Sequence, residues 1–191
     1  MKNTAALGIL SVSLILVPVA LEGRQFDPEF AILGGYGIEP PYRIGIGVTG
    51  GVTFNSLYGG GRLVRHFGNS QTRLGTNETT TVEQTAWLYA IEIGWPLDLK
   101  RAEARLTAHV GLFRFREDTV REPVGGGAPT EDTRRKTTTM FAPAASLLVP
   151  VGRIKAGAEV VLLNGGDPNF SETFGTRSVT FYAKIVIPTR P

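Results

Sequence analysis

An alternation of period two restricts this chain more than any other feature. Between Thr85 and Trp95 one set of alternate residues is Trp87, Tyr89, Ile91, Ile93 and Trp95, and the other is Ala86, Leu88, Ala90, Glu92 and Gly94. A strand sends successive side chains to opposite faces, so the segment reads as a strand with a bulky apolar face and a smaller face bearing a charge. The pattern recurs. Ala102, Ala104, Leu106, Ala108, Val110 and Leu112 oppose Glu103, Arg105, Thr107, His109, Gly111 and Phe113. Ile154, Ala156, Ala158, Val160 and Leu162 oppose Arg153, Lys155, Gly157, Glu159 and Val161. Val179, Phe181, Ala183, Ile185 and Ile187 oppose Thr180, Tyr182, Lys184 and Val186. Helical heptads are missing. The period predicts eight strands, at roughly 29–38, 42–54, 57–67, 84–96, 101–116, 137–149, 152–163 and 177–188.

The segments between these strands alternate in length. Polar segments at 68–83, 117–136 and 164–176 are long, whereas the links around Pro96–Lys100 and Pro150–Gly152 are short. An up-and-down antiparallel sheet with its long loops at one end produces that order. The first connection, Glu39 to Arg43, falls at the long-loop end and is short. A length of 191 residues suits one domain, and the 24 glycines suit turns and crowded strand faces.

The N-terminus reads as an export signal. Lys2 precedes an apolar stretch from Ala5 to Ala20, the arrangement of an n-region and an h-region. Residues 1–23 are assigned to the signal peptide and 24–191 to the barrel domain. An uncleaved anchor is the rival reading, since Ala5 to Leu21 barely reaches spanning length. Without cysteine the chain has no disulfide, thiolate metal site or lipoprotein anchor. Its net charge of +3 comes without a basic run interleaved with aromatics, which argues against nucleic acid.

Alternation alone leaves two barrels open. A soluble one turns its apolar faces inward; a membrane one turns them to lipid and its charges to the lumen. Three features favour the membrane. Trp87 and Trp95 end one apolar face, the polar faces carry both signs of charge, and those faces are rich in glycine. The aromatic girdle is assigned to Trp87, Tyr89, Trp95 and Phe181. The lumen polar network is assigned to Arg62, Glu92, Glu103, Arg105, His109, Lys155, Glu159 and Lys184. Glycines Gly45, Gly47 and Gly51 are expected to leave room for its arginines and lysines.

The signal, the eight alternating strands and the long polar loops resemble the small eight-stranded outer-membrane β-barrel proteins of Gram-negative bacteria. The resemblance covers nearly all of 24–191 and rests on pattern. It implies an all-β fold, a closed antiparallel up-and-down eight-stranded transmembrane β-barrel in the outer membrane, with both termini in the periplasm. The C-terminus departs from that family: Ile185 to Pro191 carries no aromatic, so an atypical insertion signal is expected.

The remaining motifs are weak. Gly45-Ile-Gly47-Val-Thr-Gly50 matches a dinucleotide fingerprint by letter, but no helix follows it. The histidines, His66 and His109, have no spaced metal partner, and neither matches a serine–histidine motif. Asn77 and Asn169 head glycosylation sequons by letter, both in predicted loops. No cofactor, metal or catalytic residue is assigned, and the chain is not expected to be an enzyme. The expected role is structural or surface interaction through the long loops, around a lumen filled by side chains. Expected partners are outer-membrane lipid, the barrel-insertion machinery and an extracellular ligand met by the loops. A narrow channel for small solutes, a soluble periplasmic lipocalin-like binding barrel and a lipid-modifying membrane enzyme stay open as alternatives.

Overall fold

Each alternating segment forms a strand in the computed structural model, which describes residues 26–39, 42–165 and 177–188. The strands are β1 (Phe26–Gly37), β2 (Ile44–Phe54), β3 (Leu57–Leu74), β4 (Glu78–Asp98), β5 (Glu103–Pro123), β6 (Thr130–Val151), β7 (Ile154–Gly165) and β8 (Arg177–Pro188). All neighbours are antiparallel and follow chain order, and β8 pairs back onto β1, closing the barrel. Closure leaves no free sheet edge within the ring.

The register fixes the shape. Cross-strand partners run from Arg177 through Asn164, Phe141, Val110, Ile91, Gly61, Gly50 and Phe30 to Ile187. One circuit therefore returns to β8 ten residues along. With strands about 4.8 Å apart and about 3.3 Å of rise per residue, that stagger tilts them by roughly 40°.

One end is tight. Asn55 and Ser56 both have positive φ (47° and 66°), the conformation of a two-residue type I′ hairpin. Gly152 (φ 64°) takes the first central position of the two-residue turn from β6 to β7, where a side chain would be strained. At the other end β3–β4 and β5–β6 rise well beyond the ring. Here the sequence reading is corrected. The expected loops 68–83 and 117–136 are mostly strand, and only 75–77 and 124–129 lie between strands. Thr72, Thr79, Thr80, Thr81, Val82, Thr119, Val120 and Thr133 supply β-branched residues that suit paired strands whether or not they are buried. Of the third expected loop, Asn164 and Gly165 belong to β7, and 166–176 lie outside the described residues. So do the assigned signal and residues 189–191.

Outside and inside are sharply sorted. Phe30, Ile32, Ile46, Val48, Leu63, Ile91, Ile93, Leu106, Val110, Phe141, Leu147, Leu162, Phe181 and Ile185 all project outward and are exposed. Arg62, Glu92, Arg105, His109, Glu159 and Lys184 point inward and are buried. This is the inverse of a soluble protein, where buried charges are rare and the outer surface is polar. Pro143 lies on the outward face of β6, where the register with β7 skips from Phe141 to Ala144. Proline lacks the N–H a ladder needs, so a gap there is the cost of placing it in a barrel wall.

Candidate functional site

The lumen is stacked in three layers. The uppermost is apolar and aromatic. Leu33, Val64, Leu88, Phe113, Met140, Val161 and Leu163 form a buried core with Tyr42 and Tyr182. The inward faces are therefore richer in large apolar residues than the expected mixture of charge, glycine and small side chains. The turn between β1 and β2 folds Tyr42 fully into the barrel, where it meets the edge of the His66 ring at 5.5 Å and Phe113 at 5.4 Å. His66 is fixed from both sides. Its Nδ1 lies 3.3 Å from the Tyr42 carbonyl oxygen, which can only accept, so Nδ1 carries the proton. Its Nε2 is then free to accept from the Tyr182 hydroxyl at 3.1 Å.

The middle layer is ionic. Arg62 reaches from β3 to Glu92 on β4 (Nε to Oε1, 2.6 Å) and to Glu159 on β7. The Glu92 contact is an ion pair that is not aligned as a hydrogen bond. Lys184 on β8 lies 3.8 Å from the other Glu159 oxygen, and His109 Nε2 lies 3.4 Å from Glu92. Glu92 also accepts a hydrogen bond from Tyr58 at 3.0 Å. Two cations face two carboxylates, so the layer is neutral as a set. Its depth follows from the register, because Glu92 adjoins Ile91, midway between Trp87 and Trp95.

The lower layer repeats the balance. Arg105 bonds Glu29 (Nη2 to Oε2, 3.0 Å) and Glu103 (Nε to Oε1, 3.1 Å), and Lys155 pairs with the second oxygen of Glu103. Tyr58 joins the two ionic layers, with its hydroxyl on Glu92 and its ring 4.4 Å from the Arg105 guanidinium carbon. Arg62 lies 5.5 Å over the Tyr182 ring, which links the middle layer to the aromatic one. Side chains thus form a continuous column down the barrel axis.

All eight residues assigned to the lumen network point inward, but as two clusters. Arg62, Glu92, His109, Glu159 and Lys184 form one; Glu103, Arg105 and Lys155 form the other. The sequence reading missed Glu29, Tyr58, His66, Tyr42 and Tyr182. It also assigned the glycine space wrongly. A Cβ on Gly45 would stand 3.0 Å from His66 and 3.2 Å from Tyr182, and one on Gly51 would stand 2.6 Å from the Tyr58 ring. Near Gly47 the neighbours are the Leu63 carbonyl oxygen and the Val64 side chain. These glycines make room for a histidine, tyrosines and a valine, with no arginine or lysine among the nearest atoms. Gly51→Val is therefore expected to displace Tyr58 and weaken both ionic layers, read as a fall of tens of per cent or more in the yield of folded barrel.

Glu92, His109 and Glu159 could bring ligand atoms within 4.8 Å of one another, which suits a metal ion by distance. Charge opposes it, because Arg62 and Lys184 already neutralise both carboxylates and a further cation would be repelled. Among the described residues neither histidine is hydrogen-bonded to a serine, so no serine–histidine pair is seen there.

The assigned girdle residues all face outward. Trp87 and Tyr89 stack near the upper edge of the apolar wall, with ring centroids 6.2 Å apart, and Trp95 sits near the lower edge. Eight residues of tilted strand separate the tryptophans by about 20 Å along the barrel axis. That approaches the apolar band, about 25 Å tall, of a transmembrane barrel. Phe181 lies on β8, paired with Tyr36.

No protein-family model matches the chain, and no curated protein is similar to it in sequence. Solved structures are. The chain is similar to Neisserial surface protein A, with a TM-score of 0.59 and 13% identity, over 87% of this chain and 99% of that one. It is also similar to the N-terminal β-barrel domain of Pseudomonas aeruginosa OprF, with a TM-score of 0.53 and 10% identity, over 86% of this chain and 98% of that one. The fold is that of a small outer-membrane β-barrel. At such identities the likeness speaks for architecture, and function must come from this chain's own side chains.

Proposed function

We propose that this chain is an integral outer-membrane barrel of a Gram-negative bacterium with a structural or surface-interaction role and a sealed lumen. It would be exported by residues 1–23 and inserted with its tight turns toward the periplasm. The observation that carries this reading is the inverted polarity of the wall, apolar outside and ionic inside. The β3–β6 hairpins, rich in threonine and charge, would then stand outside the cell as the surface that meets partners. Among the alternatives, a lipid-modifying enzyme lacks support from a serine–histidine pair among the described residues. A lipocalin-like carrier would need its apolar face inside.

Sealing follows from the filled, neutral column. Purified barrel added to a planar bilayer is expected to give no discrete conductance steps. Regular steps at physiological salt would establish the channel alternative and would mean the column opens.

A further inference from the structure

The outward face of β3–β6 gathers cations into a band just above the apolar wall. Just above the apolar wall, Arg65, Trp87 and Arg114 are consecutive cross-strand neighbours. One row further up, Arg116 stands directly opposite Arg135. All four arginines are exposed. Like charges placed opposite each other repel across a strand pair, and the Asp118 carboxylate, 2.7 Å from Arg116, is the countercharge beside them. Arg65 spreads over two aromatic rings, 4.7 Å from Phe67 and 5.3 Å from Trp87. The carboxylates on this face lie a further row up, where Glu83 pairs in register with Asp118. Asp118 accepts from Thr133 at 2.7 Å and from Arg116 at 3.0 Å, contacts that hold its carboxyl below the usual range. Charge is therefore sorted by height, with arginines next to the apolar wall and carboxylates beyond them.

Below the arginines the wall continues without charge through Leu63, Tyr89, Leu112, Ile91, Val110 and Phe141. An amphiphile lying there would pack its chains on that surface and bring its headgroup level with the guanidiniums. Guanidinium binds phosphate through paired N–H donors. We propose that this face is a binding site for a phosphate-bearing lipid, with Arg65 and Arg114 flanking Trp87 as the pair nearest the phosphate and Arg116 and Arg135 receiving further negative charge. The proposal rests on the membrane reading above.

The test uses the full barrel in phosphatidylcholine nanodiscs doped with phosphatidic acid, with retained lipid counted by native mass spectrometry. Phosphatidic acid is expected to be retained over phosphatidylcholine. Arg65→Gln with Arg114→Gln should lower that retention on the order of tenfold. Arg153→Gln, in the turn at the opposite end, should leave it unchanged. Should the pair disturb folding, seen as loss of the heat-dependent gel shift, Arg116→Gln alone should still lower retention about threefold. Retention equal to the native barrel in these variants overturns the proposal. An equal loss in Arg153→Gln also overturns it, as diffuse attraction to charge. Full displacement by millimolar inorganic phosphate overturns the lipid assignment in favour of a free-phosphate site. A native barrel that does not co-elute with nanodiscs refutes the membrane reading itself, and this proposal with it.

Discussion

Replacing Arg62 with alanine should destabilise the folded barrel by about 3–5 kcal/mol, the usual cost of leaving buried charge without its partner. Arg62 has a fully buried side chain and is shared by Glu92 and Glu159. Its loss leaves Glu92 with Tyr58 and His109, and Glu159 with Lys184 at 3.8 Å. Urea titration of the lipid-embedded barrel, followed by the heat-dependent gel shift, measures the change. The double variant Arg62→Met, Glu92→Gln removes one charge of each sign and keeps the Glu159–Lys184 pair. It should recover most of the loss, because deleting a buried ion pair as a set is far milder than breaking it. A cost below about 1 kcal/mol for Arg62→Ala would mean that water screens the middle layer, as at a protein surface, and the sealed column would be wrong.

The second large effect lies on the other side of the wall. Ile91 projects outward midway between Trp87 and Trp95 and is 66% exposed. Ile91→Arg places a cation at the middle of the bilayer and should destabilise the inserted barrel by about 2–4 kcal/mol. The same change at Leu97, near the lower rim, should cost about 0–1 kcal/mol. Such a depth profile is particular to lipid. In a water-soluble barrel of the same shape, Arg at position 91 would improve solubility and cost nothing. Equal effects at Ile91 and Leu97 would remove the membrane from the explanation.

What could be read from sequence, and what could not, follows from what alternation encodes. Strand number, order and face were legible because a period of two commits every side chain of a strand at once. Arg105, Glu159 and Lys184 could be placed in the lumen without a structure for that reason. The projecting halves of β3–β6 were hidden because both their faces are polar, so no contrast marks them as strand. Partners across the barrel were also hidden. Glu29 opens the first predicted strand directly after Pro28, with no preceding alternate residues to mark its face, yet it completes the lower ionic layer. Tyr58 follows a turn and precedes three glycines, which gives no hint that its ring would lie on Arg105 and its hydroxyl on Glu92. Tyr42 was read within a strand, whereas it belongs to a turn that folds into the barrel. Short sequence windows report the face a residue takes. They do not report which residues from strands far apart in sequence converge on the axis.

The claim that the apolar wall meets lipid while the charges seal the interior is tested most directly by tryptophan quenching. The barrel would be reconstituted in vesicles whose lipids carry bromine on their acyl chains, and fluorescence compared with that in unbrominated vesicles. Trp95, 55% exposed on the outer wall, and Trp87 near the upper edge should both be quenched by chain bromine, and Trp95 should resist aqueous iodide. Quenching of both by iodide, with none by bromine, would place that wall in water and contradict the assignment of inside and outside.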